Sequence, residues 1–364
     1  MAHTTPRSAS RAPEPASRVE DAPRARVFFG GPERPRRLRD LLEERVEAVP
    51  PGGEILWVTY YFRDERLAEA LARAHRRGVA VKLVLEGAPR LASANQAVIR
   101  RLQAPEGGIG PGLKLVRPGL SGHLHEKLYC FSHPRPVALV GSFNPSGNTP
   151  DDPAVIRAIG DQDRGHNLLV ELAGPEVGAL AAHARRLHAG SAGWFGRSRP
   201  DPDPLVRTDR VRGYAFPRWR DPLPGLLRAL PEGARLRVAA SHLSHAPAVR
   251  RFVALARRGV AVEVIAEATL RRVPRRVERA LLGGGVPFRR YVHPLGLPMH
   301  NKFMLAEAPG RRWASFGSYN FTRKSRWLNR ELLFVAHDDA LFAALAARWD
   351  EMAIDPATRT PDHR

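Results

Sequence analysis

Met299-His300-Asn301-Lys302-Phe303-Met304, followed shortly by Phe316-Gly317-Ser318-Tyr319-Asn320-Phe321, is the stretch that decides how this chain folds. Side chains two apart on an extended segment point to the same side, so His300 and Lys302 are expected to lie together. The Gly-Ser-x-Asn turn adds neutral hydrogen-bond donors. A nucleophile or acid, a fixed cation and neutral donors together suit a phosphate diester, whose charge lies on its non-bridging oxygens.

The chain carries a second copy of this pattern. His125-Glu126-Lys127 is followed by Gly141-Ser142-Phe143-Asn144, and the two histidines are 175 residues apart in a chain of 364. A helix end recurs as well, because Arg76-Arg77-Gly78-Val79 matches Arg257-Arg258-Gly259-Val260 at an offset of 181 residues. A near-constant offset across helix, strand and motif indicates internal duplication.

The paired motifs resemble those of the phospholipase D superfamily, whose signature is H-x-K-x4-D followed by a Gly-Ser turn that contains Asn, twice per active site. The resemblance covers roughly residues 25 to 352. It implies an α/β fold, a duplicated phospholipase D-like α/β/α sandwich with mixed or parallel sheets and two halves related by a pseudo-twofold axis. The halves would share one site that uses no cofactor and no metal, because two lysines supply the positive charge.

The resemblance also implies a role for each motif residue. His125 would attack phosphorus to form a phosphohistidine, and His300 would protonate the leaving oxygen and then activate water or an alcohol, an assignment that chain order in related enzymes favours. The lysines would hold the non-bridging oxygens, the asparagines would donate hydrogen bonds to them, and the serines would support the pocket. These residues are Lys127, Lys302, Asn144, Asn320, Ser142 and Ser318.

A nucleophilic histidine also needs a partner on its second ring nitrogen. Glu331 matches the orienting acid in the second half, and Asn167 takes the equivalent place in the first half, beside His125. Asparagine can orient a histidine through its carbonyl but cannot stabilise an imidazolium as a carboxylate does. This difference is consistent with unequal roles for the two histidines.

The composition favours anionic partners. The 58 Lys and Arg residues against 37 Asp and Glu give a net charge of +21, which suits nucleic acid, an anionic membrane surface or a phosphorylated substrate, although a coding bias towards Arg would give the same count. Only five of the basic residues are lysine, and Lys127 and Lys302 are two of those five. A compact ammonium fits a crowded phosphate pocket better than a planar guanidinium.

The turn and linker residues predict the domain organisation. The predicted units are a disordered tail at 1–24, a first half at 25–190, a connector at 191–210, a second half at 211–352 and a tail at 353–364. The first tail lacks the apolar core of a signal peptide, and no run of the chain reaches transmembrane length. With the single cysteine Cys130, these features predict a monomeric cytoplasmic protein, at most peripheral at a membrane.

The halves differ most between Asn144 and Asn167, where the first half has 12 more residues than the second half has at the matching place. This segment contains the acidic residues Asp151, Asp152, Asp161 and Asp163. It is either a plain surface loop or a substrate gate. Acidic groups in a gate would repel a polyanionic strand and attract a cationic headgroup such as choline or ethanolamine. The aromatic residues Tyr60, Tyr61, Tyr319 and Trp327 would contact that cation.

The sequence therefore predicts a phospholipase D-like phosphodiesterase that hydrolyses or transphosphatidylates phospholipids. A metal-independent nuclease or other nucleic-acid phosphodiesterase is the alternative, and the net charge favours it. A catalytically silent binder of nucleic acid or of a membrane surface is a third reading, because Ser132 and Glu307 replace the Asp of the two motifs. Some branches of the superfamily, including the tyrosyl-DNA phosphodiesterases, also lack that Asp.

Overall fold

Two β-sheets, one from each half of the sequence, form the framework of the protein in a computed structural model that describes residues 25–117, 122–146, 163–190 and 203–361. The predicted tail at 1–24 and most of the predicted connector lie outside the described residues. Helices cover the sheets, so the architecture is the α/β arrangement that the sequence predicts.

The first sheet comes from the first half of the chain. Its strands are β1 (Ala25–Gly30), β2 (Glu54–Thr59), β3 (Ala80–Glu86), β4 (Leu113–Val116), β5 (Leu128–Phe131), β6 (Val137–Gly141) and β7 (Asn167–Ala173). Their order in the sheet is β1-β7-β6-β5-β2-β3-β4. Strands β2, β3 and β4 are parallel, and the remaining pairs are antiparallel, so the sheet is mixed.

The second sheet repeats this plan. Its strands are β8 (Val206–Arg207), β9 (Val211–Phe216), β10 (Arg235–Ala240), β11 (Ala261–Glu267), β12 (Phe288–Tyr291), β13 (Lys302–Ala308), β14 (Arg311–Gly317), β15 (Glu331–Ala336) and β16 (Thr358–Arg359). Their order is β16-β12-β11-β10-β13-β14-β15-β9-β8. The parallel strands β10, β11 and β12 correspond to β2, β3 and β4, and the antiparallel strands β13, β14 and β15 correspond to β5, β6 and β7. The equivalent orders confirm the predicted duplication.

Helices connect and cover the strands. The described α-helices are α1 (Arg37–Glu47), α2 (Glu65–Arg76), α3 (Gln96–Gln103), α4 (Pro175–His188), α5 (Leu223–Arg228), α6 (Ala246–Arg257), α7 (Arg275–Gly283), α8 (Arg323–Trp327) and α9 (Asp339–Ile354). Asp64 caps α2 by accepting a hydrogen bond from the Leu67 N–H at 2.8 Å. Gly78 and Gly259, with φ of 91° and 81°, follow α2 and α6 in the left-handed conformation that glycine favours. Within the described part of the chain, no helix is long and apolar enough to cross a membrane.

Three apolar clusters hold the layers together. One packs the outer face of the first sheet against α1, α2 and α3, and a second packs the outer face of the second sheet against α5, α6 and α7. The third is shared, because it joins inner-face residues of both sheets, such as Val140 and Phe316, with residues of α4 and α9, such as Leu180 and Trp349. Burial of this shared core fixes the two halves against each other.

Two short strands lie in stretches that the sequence predicts as connector and tail. Strand β8 lies inside the stretch predicted as connector, 191–210, and pairs with β9. Strand β16 lies inside the predicted tail, 353–364, and pairs with β12 at the opposite edge of the same sheet. Both strands have only two residues. A two-residue strand is too short to leave a period-two pattern in the sequence, so its pairing is visible only in the folded protein.

Candidate active site

The two histidine motifs meet where each half of the chain pairs with the other half. The His125 N–H donates to the carbonyl of Arg330 at 2.8 Å, and the His300 N–H donates to the carbonyl of His166 at 2.9 Å. Each histidine backbone is therefore held by the residue that directly precedes a strand of the opposite half, β15 for His125 and β7 for His300. The two contacts are equivalent, as expected of halves related by a pseudo-twofold axis.

These backbone contacts between the halves decide which side chain orients each histidine. Glu331 Oε2 lies 2.7 Å from His125 Nδ1, and Asn167 Oδ1 lies 2.9 Å from His300 Nδ1. The sequence-based pairing was wrong, because it placed Glu331 with the second-half histidine and Asn167 with the first. Glu331 directly follows Arg330, so the backbone contact with the opposite half carries its carboxylate to His125.

A set of hydroxyl and amide donors holds Glu331 in place. Oε2 accepts a hydrogen bond from Ser318 Oγ at 2.7 Å, and Oε1 accepts from Ser325 Oγ at 2.6 Å and from Asn329 Nδ2 at 3.2 Å. Burial opposes ionisation of Glu331, but His125, Lys127 and these donors lower its pKa below the usual value. Glu331 is therefore a fully buried carboxylate, 0% exposed, whose charge the site itself stabilises.

The two motif serines act on the orienting groups. Ser142 Oγ donates to Asn167 Oδ1 at 3.1 Å in the first half, as Ser318 does to Glu331 in the second. Each serine oxygen also accepts the backbone N–H that follows its partner, Leu168 or Leu332. The predicted supporting role of these serines thus takes the form of fixing Asn167 and Glu331.

The two motif lysines lie beneath the histidines. Lys127 Nζ donates to the carbonyl of His125 at 2.7 Å, and Lys302 Nζ donates to the carbonyl of His300 at 2.8 Å. Burial lowers the pKa of Lys127 to about 7, and the nearby Glu331 opposes this shift. Burial and the charge of Lys127 hold the pKa of Lys302 well below its usual value. An anion bound between the two ammonium groups would relieve their mutual repulsion.

Both histidines are neutral in the free protein at pH 7. Burial lowers the pKa of His125 to about 4, although the Glu331 carboxylate opposes the shift. Burial, with the charges of Lys302 and Arg272, holds the pKa of His300 well below its usual value. Because the Nδ1–H of neutral His125 donates a hydrogen bond to the Glu331 carboxylate, the Nε2 lone pair is available for nucleophilic attack.

The two histidines open onto a cavity of about 410 Å³, and Lys127 and Lys302 are not among its described lining residues. Both histidines and both motif asparagines line it. Its cationic lining residues are Arg90, Arg271, Arg272, Arg323 and Lys324. No Asp or Glu is found among the described lining residues. The cavity therefore favours an anionic ligand.

The motif asparagines flank the cavity with their amide groups. Asn144 Oδ1 accepts the Tyr61 N–H at 3.4 Å, which leaves its amide nitrogen as the donor for a ligand. Asn320 Oδ1 is buried and has no hydrogen-bond partner among the described residues. Two amides at equivalent places on the repeats suit the non-bridging oxygens of a tetrahedral phosphate.

Two arginines at the rim of the cavity were not recognised as a pair from the sequence. Arg90 and Arg271 are both exposed and both line the cavity. They are separated by 181 residues, the same offset that relates Gly78 to Gly259. Applying this offset to the whole chain would have identified them. His242, another lining residue, was also missed, and it occupies the place of Tyr61 in the second half under the same offset.

The positions of the missing motif Asp lie away from this cavity. Ser132 Oγ accepts the N–H of Glu54 at 2.8 Å at the far end of β5. Glu307 is exposed near the end of β13, five residues beyond Lys302, or about 16 Å along an extended strand. Neither position contributes to the described cavity lining, so the absent Asp leaves the site itself intact.

The predicted acidic gate receives no support from the described residues. Asp151, Asp152 and Asp161 lie outside them. Asp163 is described, but it is only 6% exposed and does not line the cavity.

The predicted aromatic contacts divide into two groups. Tyr60 and Tyr61 line the cavity. Tyr319 instead packs on Phe216, with ring centroids 4.6 Å apart, and Trp327 lies outside the described lining. No group of three or more His, Cys, Asp or Glu residues within the described ranges is arranged to hold a metal ion.

Comparisons with known proteins agree with this fold. Phosphatidylserine synthase from Haemophilus influenzae Rd KW20 has a similar fold, with a TM-score of 0.65 at 11% identity over 93% of this chain and 88% of that one. Polyphosphate kinase from Porphyromonas gingivalis gives a TM-score of 0.60 at 15% identity over 97% of this chain, which spans only 55% of the kinase. No curated protein sequence matched the chain. Residues 52–150 and 227–353 match the family described as "Cardiolipin synthase, PLD-like domain". The chain therefore belongs to this family of the phospholipase D superfamily.

Proposed function

We propose that the protein is a phosphodiesterase that hydrolyses or transphosphatidylates anionic phospholipids through a phosphohistidine at His125. The observation that carries this proposal is the unequal pairing of two histidines on one cavity. His125 is paired with the carboxylate of Glu331, whereas His300 is paired with the neutral amide of Asn167. A carboxylate stabilises the positive charge that develops on an attacking imidazole, and an amide does not.

In the first step, Nε2 of His125 forms a bond to phosphorus as the bond to the headgroup oxygen breaks. Glu331 accepts the Nδ1 hydrogen bond and stabilises the imidazolium that results. His300 donates a proton to the departing oxygen, so the headgroup leaves as a neutral alcohol. The phosphatidyl group remains on His125.

In the second step, His300 is neutral and removes a proton from water or from an incoming alcohol. The resulting oxygen nucleophile attacks phosphorus as the bond to His125 breaks, and the carbonyl group of Asn167 keeps the His300 ring in position throughout. Water gives hydrolysis, and a lipid alcohol gives transfer. Lys127 and Lys302 neutralise the non-bridging oxygens in both steps.

The charge of the cavity supports an anionic phospholipid. Five cationic side chains and no described carboxylate line it, which disfavours the choline or ethanolamine headgroup suggested by the sequence. The family description and the fold shared with a phosphatidylserine synthase are consistent with lipid chemistry. The same cationic lining also fits a nucleic-acid strand, so a nuclease is the second candidate.

One assay separates these candidates. Headgroup release from phosphatidylglycerol in detergent micelles is measured beside cleavage of plasmid DNA, both in EDTA and both with a His125→Ala control. EDTA-resistant release that the variant loses supports the proposal. DNA cleavage without lipid turnover would show that the protein is a nuclease. Inactivity on both substrates would contradict a phosphodiesterase role.

The rim arginines are expected to select the headgroup. A double Arg90→Gln and Arg271→Gln variant should lower kcat/KM for phosphatidylglycerol phosphate by about 10-fold or more, and should affect phosphatidylglycerol less, because the lost charges face the headgroup. Arg257→Gln, an exposed arginine at the end of α6, is the matched control. Equal losses on the two lipids would argue against headgroup contact.

The pH dependence follows from the two histidines. His125 must be neutral to attack, so kcat/KM should rise as pH increases through its pKa of about 4. His300 must be protonated to release the headgroup, and burial with Lys302 holds its pKa well below 6.5, so the rate should fall as pH increases towards neutrality. We therefore expect an acidic optimum for a soluble diester whose leaving group is an alkoxide. An optimum above neutral pH would contradict the assigned roles.

A further inference from the structure

We propose that Trp219 and Trp327, with the cationic residues beside them at the cavity mouth, dock the protein on the surface of an anionic lipid bilayer. This inference rests on the proposed lipid function and adds a surface that the catalytic mechanism does not use. Trp219 is 73% exposed and Trp327 is 44% exposed. Single exposed apolar residues are common, but a contiguous exposed apolar patch indicates an interaction site.

The two tryptophans form one unit. Their ring centroids are 6.3 Å apart in an edge-to-face arrangement. The guanidinium group of Arg326 lies 3.9 Å from the Trp327 ring centroid and donates a hydrogen bond to the carbonyl of Trp219 at 2.7 Å. Arg326 also bonds to the carbonyl of Arg218 and pairs with Asp221 at 3.6 Å. A buried arginine, 6% exposed, thus holds the exposed pair in a fixed position.

The unit lies next to the cavity mouth. Trp327 ends helix α8, whose first three residues, Arg323, Lys324 and Ser325, line the cavity. On another part of the rim, Leu270 is 48% exposed and directly precedes the lining residue Arg271. Exposed apolar residues are thus close in sequence to exposed cationic lining residues on two parts of the rim.

This combination fits a bilayer surface. Tryptophan rings partition into the headgroup region of membranes, and arginine and lysine beside them attract anionic lipids. Docking here would place the cavity directly above the phosphodiester groups of the lipids. A platform for nucleic-acid bases is less suitable, because base stacking needs free ring faces and Arg326 covers one face of Trp327.

The test measures vesicle binding apart from turnover. The full chain is sedimented with vesicles of phosphatidylcholine that contain or lack phosphatidylglycerol. Wild type should bind the anionic vesicles, and a Trp219→Ala, Trp327→Ala double variant should bind at least about ten-fold more weakly. Ile354→Ala, which shortens an apolar residue at the end of α9 that is 84% exposed, is the control and should bind normally.

The outcomes separate this surface from the catalytic proposal. Turnover of a soluble diester by the double variant should stay within about two-fold of wild type, since neither tryptophan lines the cavity. Equal vesicle binding by wild type and the double variant would overturn the proposal. So would an absence of vesicle binding, or a preference of the same tryptophans for single-stranded oligonucleotides. If the protein binds vesicles through this pair but turns over no phosphodiester, the docking proposal stands and the proposed function is wrong.

Discussion

Replacing His125 by alanine is expected to lower phosphodiester hydrolysis by on the order of 10⁴-fold or more, because the atom that bonds to phosphorus is removed. The measurement is kcat/KM on bis(4-nitrophenyl) phosphate, with circular dichroism to confirm folding. The substitution leaves the Glu331 carboxylate buried without its imidazole partner, which lowers the free energy of unfolding. His125→Asn keeps a hydrogen-bond donor for Glu331 and should be equally inactive.

His300→Ala distinguishes the acid from the nucleophile. A nitrophenolate leaves without help from a proton, whereas the alkoxide of a lipid headgroup requires one. Because His300 also activates water in the second step, the comparison is made on the first turnover. The His300 variant should still release about one equivalent of nitrophenolate per site but little headgroup from phospholipid, and the His125 variants should release neither. If the His300 variant released no nitrophenolate in this first turnover and the His125 variants did, the two roles would have to be exchanged.

Glu331→Gln is expected to produce the second large loss, on the order of 10³- to 10⁴-fold in kcat, because a neutral amide cannot stabilise the His125 imidazolium and can hold the wrong tautomer. The glutamine side chain would also place an NH₂ group, which can only donate, where a Glu331 oxygen accepts a hydrogen bond from Ser318 or Ser325. Single-turnover kinetics on the nitrophenyl ester measure the effect on the attack step. Glu307→Gln changes the exposed motif position in the same way and should leave the rate unchanged.

Asn167→Asp is the reciprocal variant. A carboxylate beside His300 Nδ1 would raise the pKa of that histidine, so the falling limb of the pH profile should move to higher pH. The shift should be absent in a Ser132→Ala control at the far end of β5. A profile unchanged by Asn167→Asp would mean that His300 does not supply the proton.

The sequence was sufficient for the fold because the motif occurs twice. The constant offset between Gly78 and Gly259 indicated two equivalent units, and the apolar runs before each motif predicted buried strands. The resemblance of the two motifs, whose histidines are 175 residues apart, implied that His125 and His300 would share a site, and both line one cavity. Local pattern and internal symmetry carry this information without knowledge of tertiary contacts.

The pairing of each histidine could not be predicted in that way. An offset shows which residues are equivalent, but it does not show whether an equivalent residue serves its own half or the other. The backbone contact between His125 and Arg330, across 205 residues of sequence, decides this. The Trp219 and Trp327 pair escaped notice for a similar reason, because Arg326 brings together two segments that no sequence pattern connects.

The backbone contacts between the halves have a consequence for the ancestry and assembly of the protein. A single half, expressed alone, would hold one histidine and the orienting group for the other, so neither catalytic pair could form within one copy. Activity from such a fragment would require two copies to associate, or co-expression with the complementary fragment. Fusion of the halves into one chain makes this association intramolecular and independent of concentration. In one chain the two orienting positions can also hold different residues, an acid at 331 and an amide at 167. A symmetric homodimer has the same residue at both positions.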